Sequence, residues 1–264
     1  MSNSIPPSLL IFAPFDPSGA GHLPADAMTL SALGAHPLSV ATAIYVQDTM
    51  GMENLEPLSP ELVDDQARCL LEDMTVQAIK VGPICELETL QMVAQIAADY
   101  SQLPLLLQLE ALPNHPALQE ADDTLAATLE LLVPQADIVM VPHRLLAHWQ
   151  SEGYMPRQTG DDPARWLLSG GADWALVLDA PLRPGHNAHV LYGPEQAMAN
   201  WPAANKPAPG PHAHSPLACA IAVGLAQGLT PQVAVEQAMK QAAPLSERWF
   251  QPGMGHKILM RTTT

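Results

Sequence analysis

Residues 15–21 read Phe15-Asp16-Pro17-Ser18-Gly19-Ala20-Gly21, with Ala25-Asp26 close behind. The run follows Leu9-Leu10-Ile11-Phe12, a short apolar stretch that reads as a buried strand. It precedes a helical pattern from Ala25 to Leu33 that ends at Gly34. A strand, a Gly-rich turn and a helix start, in that order, bring backbone N–H groups to a place where a small ligand can meet them. Outward from this unit the same alternation continues. Strands are predicted at Leu9–Ala13, Ser39–Val46, Val76–Val81, Leu103–Leu109, Ile138–Val141 and Trp174–Leu178, with a late antiparallel strand at Ala188–Tyr192. Helices are predicted at Ala25–Leu33, Pro60–Asp73, Glu88–Tyr100, Leu118–Leu132, Arg144–Ser151, Ala164–Ser169, Pro216–Gln227 and Pro231–Leu245. This pattern implies an α/β fold: a mostly parallel sheet with helices on both faces, in one domain spanning residues 1–264. Ser59-Pro60 and Thr230-Pro231 are helix starts, an N-cap residue followed by proline at the first helical position. The proline-rich stretch 201–211 reads as an extended loop leading to the helix near Ser215.

Composition narrows the function classes. The chain has 264 residues, 48% of them hydrophobic and only 14% charged, which suits a large buried core. No apolar run approaches the ~18–20 residues that span a membrane. The first seven residues have no basic start and no apolar stretch, so no signal peptide is expected. Cys69, Cys85 and Cys219 lack metal-ligand spacing, and their odd, sparse count favours a reduced, cytoplasmic setting with buried structural thiols. The net charge of −16 argues against nucleic acid and anionic membranes as partners. It also means that any ATP must be held by local devices such as backbone N–H groups, a helix N-terminus and magnesium.

A longer series of short motifs is similar to a known family. Asp16-Pro17-Ser18-Gly19, Ala25-Asp26, Ser31-Ala32-Leu33-Gly34-Ala35, Thr42-Ala43, Gln47-x-Thr49-x-Gly51 and Lys80-Val81-Gly82 occur in this order. The series resembles the N-terminal third of the hydroxymethylpyrimidine and phosphomethylpyrimidine kinases of thiamine biosynthesis. These belong to the ribokinase-like superfamily. The resemblance implies a three-layer αβα sandwich with a mostly parallel central sheet. It also implies a pyrimidine pocket over the C-terminal ends of the first strands, with Gly19, Asp26 and Gln47 as contacts. Without it, Gln47 is a polar strand-end residue and Asp26 an ordinary first-turn carboxylate. With it, the Gln47 amide offers a donor and an acceptor to a ring edge. Tyr45 and Pro83 replace smaller or more flexible family residues and imply a reshaped, narrower pocket. His22 stands where the family has a glycine, after Gly19-Ala20-Gly21.

The later phosphate-handling motifs depart further. The family's Gly-Thr-Gly-Cys loop supplies an anion hole and a base at a helix N-terminus; here the stretch reads His212-Ala213-His214-Ser215, followed by Pro216. Proline has no N–H to offer, and the serine alcohol is a poor proton acceptor. The family's Asp-Pro turn reads Gln108-Leu109-Glu110-Ala111, its Thr-Pro-Asn-x-x-Glu motif reads Val141 to Leu146, and its Lys-Gly-Gly segment reads Leu178-Asp179-Ala180. Ser215 is the remaining catalytic candidate. His143, His212 and His214 are candidates for an anion contact, a replacement base or a metal site, with i, i+2 spacing placing His212 and His214 on one side of an extended segment. The simpler reading, and the one favoured here, is that they are exposed loop residues. No metal site is assigned. The expectation is a divergent homologue that keeps a pocket for a small heterocycle and has weak or absent phosphotransferase activity, in a binding or regulatory role and with a homodimer as a possible assembly. The alternative is an active kinase, and only that alternative calls for ATP and Mg2+.

Overall fold

Strand β1 (Ser8–Phe15) lies at the middle of the sheet for a reason visible in its burial. Leu9, Leu10, Ile11, Phe12 and Ala13 are all at most 1% exposed, so both of its faces are covered. Alternate residues serve different layers. Leu10 and Phe12 join a core with Val63, Leu90, Leu146 and Leu167, whereas Leu9, Ile11 and Ala13 join one with Leu30, Leu217, Ile221 and Val235. In this computed structural model residues 5–113, 115–116, 118, 121–155, 163–194, 197–203 and 209–261 are described.

The elements follow in order. After β1 come α1 (His22–Ala32), β2 (His36–Gln47), β3 (Met52–Pro57), α2 (Pro60–Asp73), β4 (Ala78–Val81) and α3 (Leu87–Asp99). Then come β5 (Leu105–Gln108), α4 (Ala121–Ala127), a π turn at Thr128–Leu132, β6 (Ile138–Pro142), α5 (His143–Glu152) and α6 (Pro163–Ser169). The chain continues through β7 (Trp174–Arg183), β8 (His186–Tyr192), β9 (Ala197–Pro202), α7 (Ser215–Ala226), α8 (Pro231–Ser246), β10 (Trp249–Phe250) and β11 (Ile258–Leu259). The main sheet runs β3-β2-β1-β4-β5-β6-β7-β8-β9. Its middle is parallel from β2 to β7; β3 at one edge and β8 and β9 at the other are antiparallel. Helices α2 to α6 cover one face, and α1, α7 and α8 the other. This is the expected three-layer αβα sandwich. The expected core residues Ile11, Val40, Val81, Leu107, Val139 and Leu176 are all buried.

Strand order reverses between β1 and β4, because β1 connects to β2 on one side and pairs with β4 on the other. A crevice forms outside the C-terminal ends of the strands at such a point. Helix α7 caps it from one face. Every residue from Ser215 to Leu225 is buried, as an all-round apolar helix must be.

Several local expectations change. Strands β3, β9 and the small β10–β11 ribbon were not anticipated; β9 takes Trp201 and Pro202 out of the expected loop, and Pro202 is tolerated because β9 is an edge. The rest of that loop between 204 and 208, and the expected helical residues 119–120, lie outside the described residues. The Leu118–Leu132 helix is α4 plus a π turn. Ser59 caps α2 through its side chain, but Thr230 makes no side-chain cap bond. Cys85 and Cys219 are buried, whereas Cys69 is exposed on α2. No helix among the described residues is long and apolar enough to cross a membrane.

Candidate active site

The Gly-rich turn folds around a carboxylate. Asp16 is fully buried at the end of β1. Its Oδ1 accepts from the Ser18 N–H at 2.9 Å and the Ser18 hydroxyl at 2.7 Å, and its Oδ2 accepts from the Gly21 N–H at 2.9 Å. Burial alone would raise the Asp16 pKa, but hydrogen bonds from Ser18, the Gln47 side chain and the two N–H groups outweigh it and hold the carboxyl below its usual range. The Gly19 N–H bonds to the Asp16 carbonyl at 3.1 Å, a turn that Gly19 closes with φ of +68°. The Ala20 N–H reaches Ser18 Oγ at 3.3 Å. The turn thus spends its N–H groups on itself and does not present them to a ligand as its glycines suggested. Arg261 locks it from the far end of the chain, donating to the Gly19 and Ala20 carbonyls at 3.3 and 2.9 Å.

A second buried carboxylate joins three elements. Asp26 on α1 is 2% exposed. Lys80 on β4 donates to its Oδ2 at 2.6 Å, and Ser215 at the start of α7 donates its hydroxyl proton to Oδ1 at 2.7 Å. The Cys219 thiol is also 3.3 Å from Oδ1. Burial pulls the Lys80 pKa down, yet the Asp26 charge more than offsets it and keeps the ammonium protonated. Burial and the same carboxylate push the Cys219 thiol well up, so it is inert as a nucleophile. The Ser215 hydroxyl, the remaining catalytic candidate, is engaged with Asp26.

A third group closes the mouth of the crevice. His212 Nδ1 is 3.3 Å from Glu110 Oε2, just past β5. Glu110 Oε1 accepts from the Gln108 side-chain amide. Burial would raise the Glu110 pKa, but the His212 hydrogen bond and charge, with His22 and Lys80 beyond, hold it well below the carboxylate range. The His212 pKa is raised by Glu110 against the opposing effect of burial. The rings of His22 and His212 stack edge to face with centroids 4.5 Å apart, and His22 meets Tyr45 the same way at 5.2 Å. Burial lowers the His22 pKa to about 4, so that ring is neutral. Gly21 is required here, because a Cβ on it would lie 2.4 Å from the His212 ring. Tyr45 is buried against Cys85, its hydroxyl 3.4 Å from Sγ, and burial with that neighbour raises the phenol pKa far above normal. Between these groups remains a cavity of about 10 Å³, lined by His22, Asp26, Lys80, Pro83, Glu110 and Ser215 among others. That is room for about one water.

The loop 212–215 divides this corner from a much larger space. His212 adopts a φ of +57°, in the left-handed region that the family's glycine would occupy without strain. The Ser215 N–H bonds to the His212 carbonyl at 3.1 Å, and Pro216 contributes none. His214 sits in a helical conformation and turns away, with Nε2 3.0 Å from Asp179 Oδ2. Asp179, itself at φ +55°, and His214 line a cavity of about 1160 Å³ with His189, Trp201, Lys240 and Trp249.

A small pocket at the strand-order reversal and a large cavity thus lie on opposite sides of one loop at a helix start. The phosphomethylpyrimidine kinase family model matches residues 16–260. This chain belongs to that family. The hydroxymethylpyrimidine/phosphomethylpyrimidine kinase of Streptomyces coelicolor is 27% identical over 95% of this chain and 92% of its own. The protein of the same description from Rhizobium meliloti is 30% identical over 83% of each. Among solved structures, the Bacillus subtilis pyridoxal kinase in an ADP complex superposes with a TM-score of 0.82 at 19% identity, covering 97% of both chains. The phosphomethylpyrimidine kinase of Clostridium difficile gives 0.70 at 21% identity, covering 90% of this chain and 99% of its own. These structures share the fold.

Against the family pattern, the structure brings Asp26, Ser215, His212 and Pro83 to one corner, with Tyr45 packed on its wall. Gln47 is nearby, half-buried on Asp16, and Gly19 belongs to the turn. The three candidate histidines do not share one site. His212 and His214 face opposite sides of their loop, because one is left-handed and the other helical. His143 begins α5 and is not in the cluster; the group gathered around His212 is His22 and Glu110. His22, Lys80, Gln108, Glu110 and Arg261 were missed as site residues. A signal did exist: Gln108 and Glu110 are the polar end of the apolar run Leu105-Leu106-Leu107, where a buried strand reaches its crevice.

Proposed function

We propose that this family member is a divergent phosphomethylpyrimidine kinase homologue with weak or absent phosphotransferase activity, acting by binding or regulation. The observation that carries the reading is the self-satisfied corner. The Ser215 hydroxyl is held by Asp26, Asp26 is saturated by Lys80, and His22, His212 and Glu110 fill the ring space down to about 10 Å³. Phosphoryl transfer needs a proton acceptor on the attacking alcohol and N–H donors on the transferring group. Loss of a base costs ~10²–10⁴ in rate and of one anion donor ~10²–10³, and the losses do not simply add. A flat, unphosphorylated heterocycle enters this corner only by displacing the His212 ring. The same proposal places the protein in the cytoplasm, as a possible homodimer without nucleic-acid or membrane partners.

One observation favours a second reading, an active ATP-dependent hydroxymethylpyrimidine/phosphomethylpyrimidine kinase of thiamine biosynthesis. His212 keeps the left-handed φ that a glycine would take there, and the cavity beside it is large enough for a nucleotide with Mg2+. The test is phosphorylation of hydroxymethylpyrimidine or its phosphate with ATP and Mg2+, read by mass spectrometry. The first reading expects turnover at least ~10³-fold below a family member with intact motifs. Turnover in the ordinary range of ~1–10³ s⁻¹ establishes the second.

A further inference from the structure

We propose that His22, Glu110 and His212 form a binding site for one divalent cation of the zinc class, with a water as fourth ligand. The reading is independent of whether phosphoryl transfer survives. One ligand atom from each residue lies within 4.8 Å of the other two. For metal–ligand bonds of ~2.05 Å, two corners of a tetrahedral site are about 3.3 Å apart. His212 Nδ1 and Glu110 Oε2 are separated by 3.3 Å, so a cation can take the place of the proton between them. The His22 ring stands against His212, with centroids 4.5 Å apart, and offers the third ligand atom within 4.8 Å of the other two. Two imidazoles and one carboxylate are a donor set that suits zinc, and Mg2+ prefers an all-oxygen octahedron.

Three further observations point to a ligand at this place. The cavity of about 10 Å³ is lined by all three residues and has room for the fourth ligand, one water. Gln108, 4% exposed, lines the same cavity, and its Oε1 is a buried acceptor with no partner. It would accept a hydrogen bond from that water, while its amide nitrogen already orients Glu110 as an outer partner orients a ligating carboxylate. Finally, the non-glycine residues with positive φ among the described ones are His22 at +56°, Asp179 at +55° and His212 at +57°. Two of the three are the histidines of this cluster. Strain kept at such positions is found where geometry serves a function. A bound cation would tie the start of α1, the end of β5 and the loop before α7 to one point.

The experiment uses the full chain, stripped with a chelator and titrated with Zn2+ in a calorimeter and by thermal shift. One Zn2+ per chain is expected, with a dissociation constant on the order of 1 µM or tighter and a rise in melting temperature. His22→Asn and His212→Asn keep a residue that tolerates the left-handed conformation; these and Glu110→Gln should each weaken binding at least ~10²-fold. His186→Asn, at an exposed hairpin end, should bind as wild type. Should the ligand variants fail to fold, Co2+ on the wild-type chain decides, through the intense visible bands of a tetrahedral site. Weak octahedral bands, an absence of stoichiometric Zn2+ binding, full displacement by Mg2+, or unchanged affinity in folded ligand variants would each overturn the proposal.

Discussion

Replacing Lys80 by methionine tests whether the Asp26 cluster is a closed part of the core. Methionine keeps most of the lysine stem, so the packing between β4 and α1 changes little. What is lost is the ammonium 2.6 Å from Asp26 Oδ2, in a pair whose side chains are each 2% exposed. The Asp26 carboxylate would keep the Ser215 hydroxyl and the Cys219 thiol, neither of which carries a compensating charge. Removing one partner of a buried pair costs about 3–5 kcal/mol, because the other charge is left without compensation. That is a large share of the ~5–15 kcal/mol that holds a typical domain together. The assay is urea unfolding followed by far-UV circular dichroism and tryptophan fluorescence, with coincident transitions required. A companion Asp26→Asn/Lys80→Met variant removes both charges and should recover part of the loss, with coupling on the order of 1–3 kcal/mol. Lys80→Met within about 1 kcal/mol of wild type would refute the reasoning, since Asp26 would then have access to water or to another cation.

Two further outcomes follow from the same geometry. His189 is half-buried and neutral, with a pKa lowered to about 4 from 6.5 by burial and by His214. The unfolded chain therefore binds the extra proton first, so the stability of the neutral state is complete above about 6.5 and is lost as the pH falls toward 4. His189→Gln should reduce the acid-induced loss of stability by up to ~3 kcal/mol at ~1.4 kcal/mol per unit, and an unchanged pH profile of unfolding would contradict this. If flat heterocycles bind near the turn, a thermal-shift panel of pyrimidines, purines and pyridoxal-type rings should show a stabilising member, with unphosphorylated rings favoured; Gln47→Ala should remove most of that gain, by about 1–3 kcal/mol, and equal shifts in the variant would exclude Gln47 as a contact.

The sheet was legible because its signal is local and repeated. Runs such as Leu9-Leu10-Ile11-Phe12 and Ile138-Val139-Met140-Val141 are apolar throughout, as strands covered on both faces must be. β3 and β9 escaped because edge strands alternate weakly: Met52–Pro57 carries Glu53, Asn54 and Glu56, and β9 holds a proline. The motif at Asp16–Gly21 lies at the end of β1, beside the reversal of strand order, but its N–H groups turn inward rather than outward. Sequence shows glycines, not the carboxylate of Asp16 that collects the turn around itself. His212 and His214 looked equivalent at i, i+2; a single left-handed residue sends their side chains to different carboxylates, Glu110 and Asp179. Ser215 was found by alignment to a motif, while Lys80, 135 positions earlier, joins it only through Asp26 in three dimensions.

The central claim is that the residues now filling the corner are what limit phosphoryl transfer. The direct measurement compares turnover of hydroxymethylpyrimidine with ATP and Mg2+ by the wild-type chain and by a chain carrying His212→Gly, Ala213→Thr, His214→Gly and Ser215→Cys together. Restored N–H donors and a thiol in place of the alcohol should raise the rate by at least ~10² over a slow wild type. A wild-type chain that already turns over at ~1–10³ s⁻¹, with the restored chain no faster, would contradict the account.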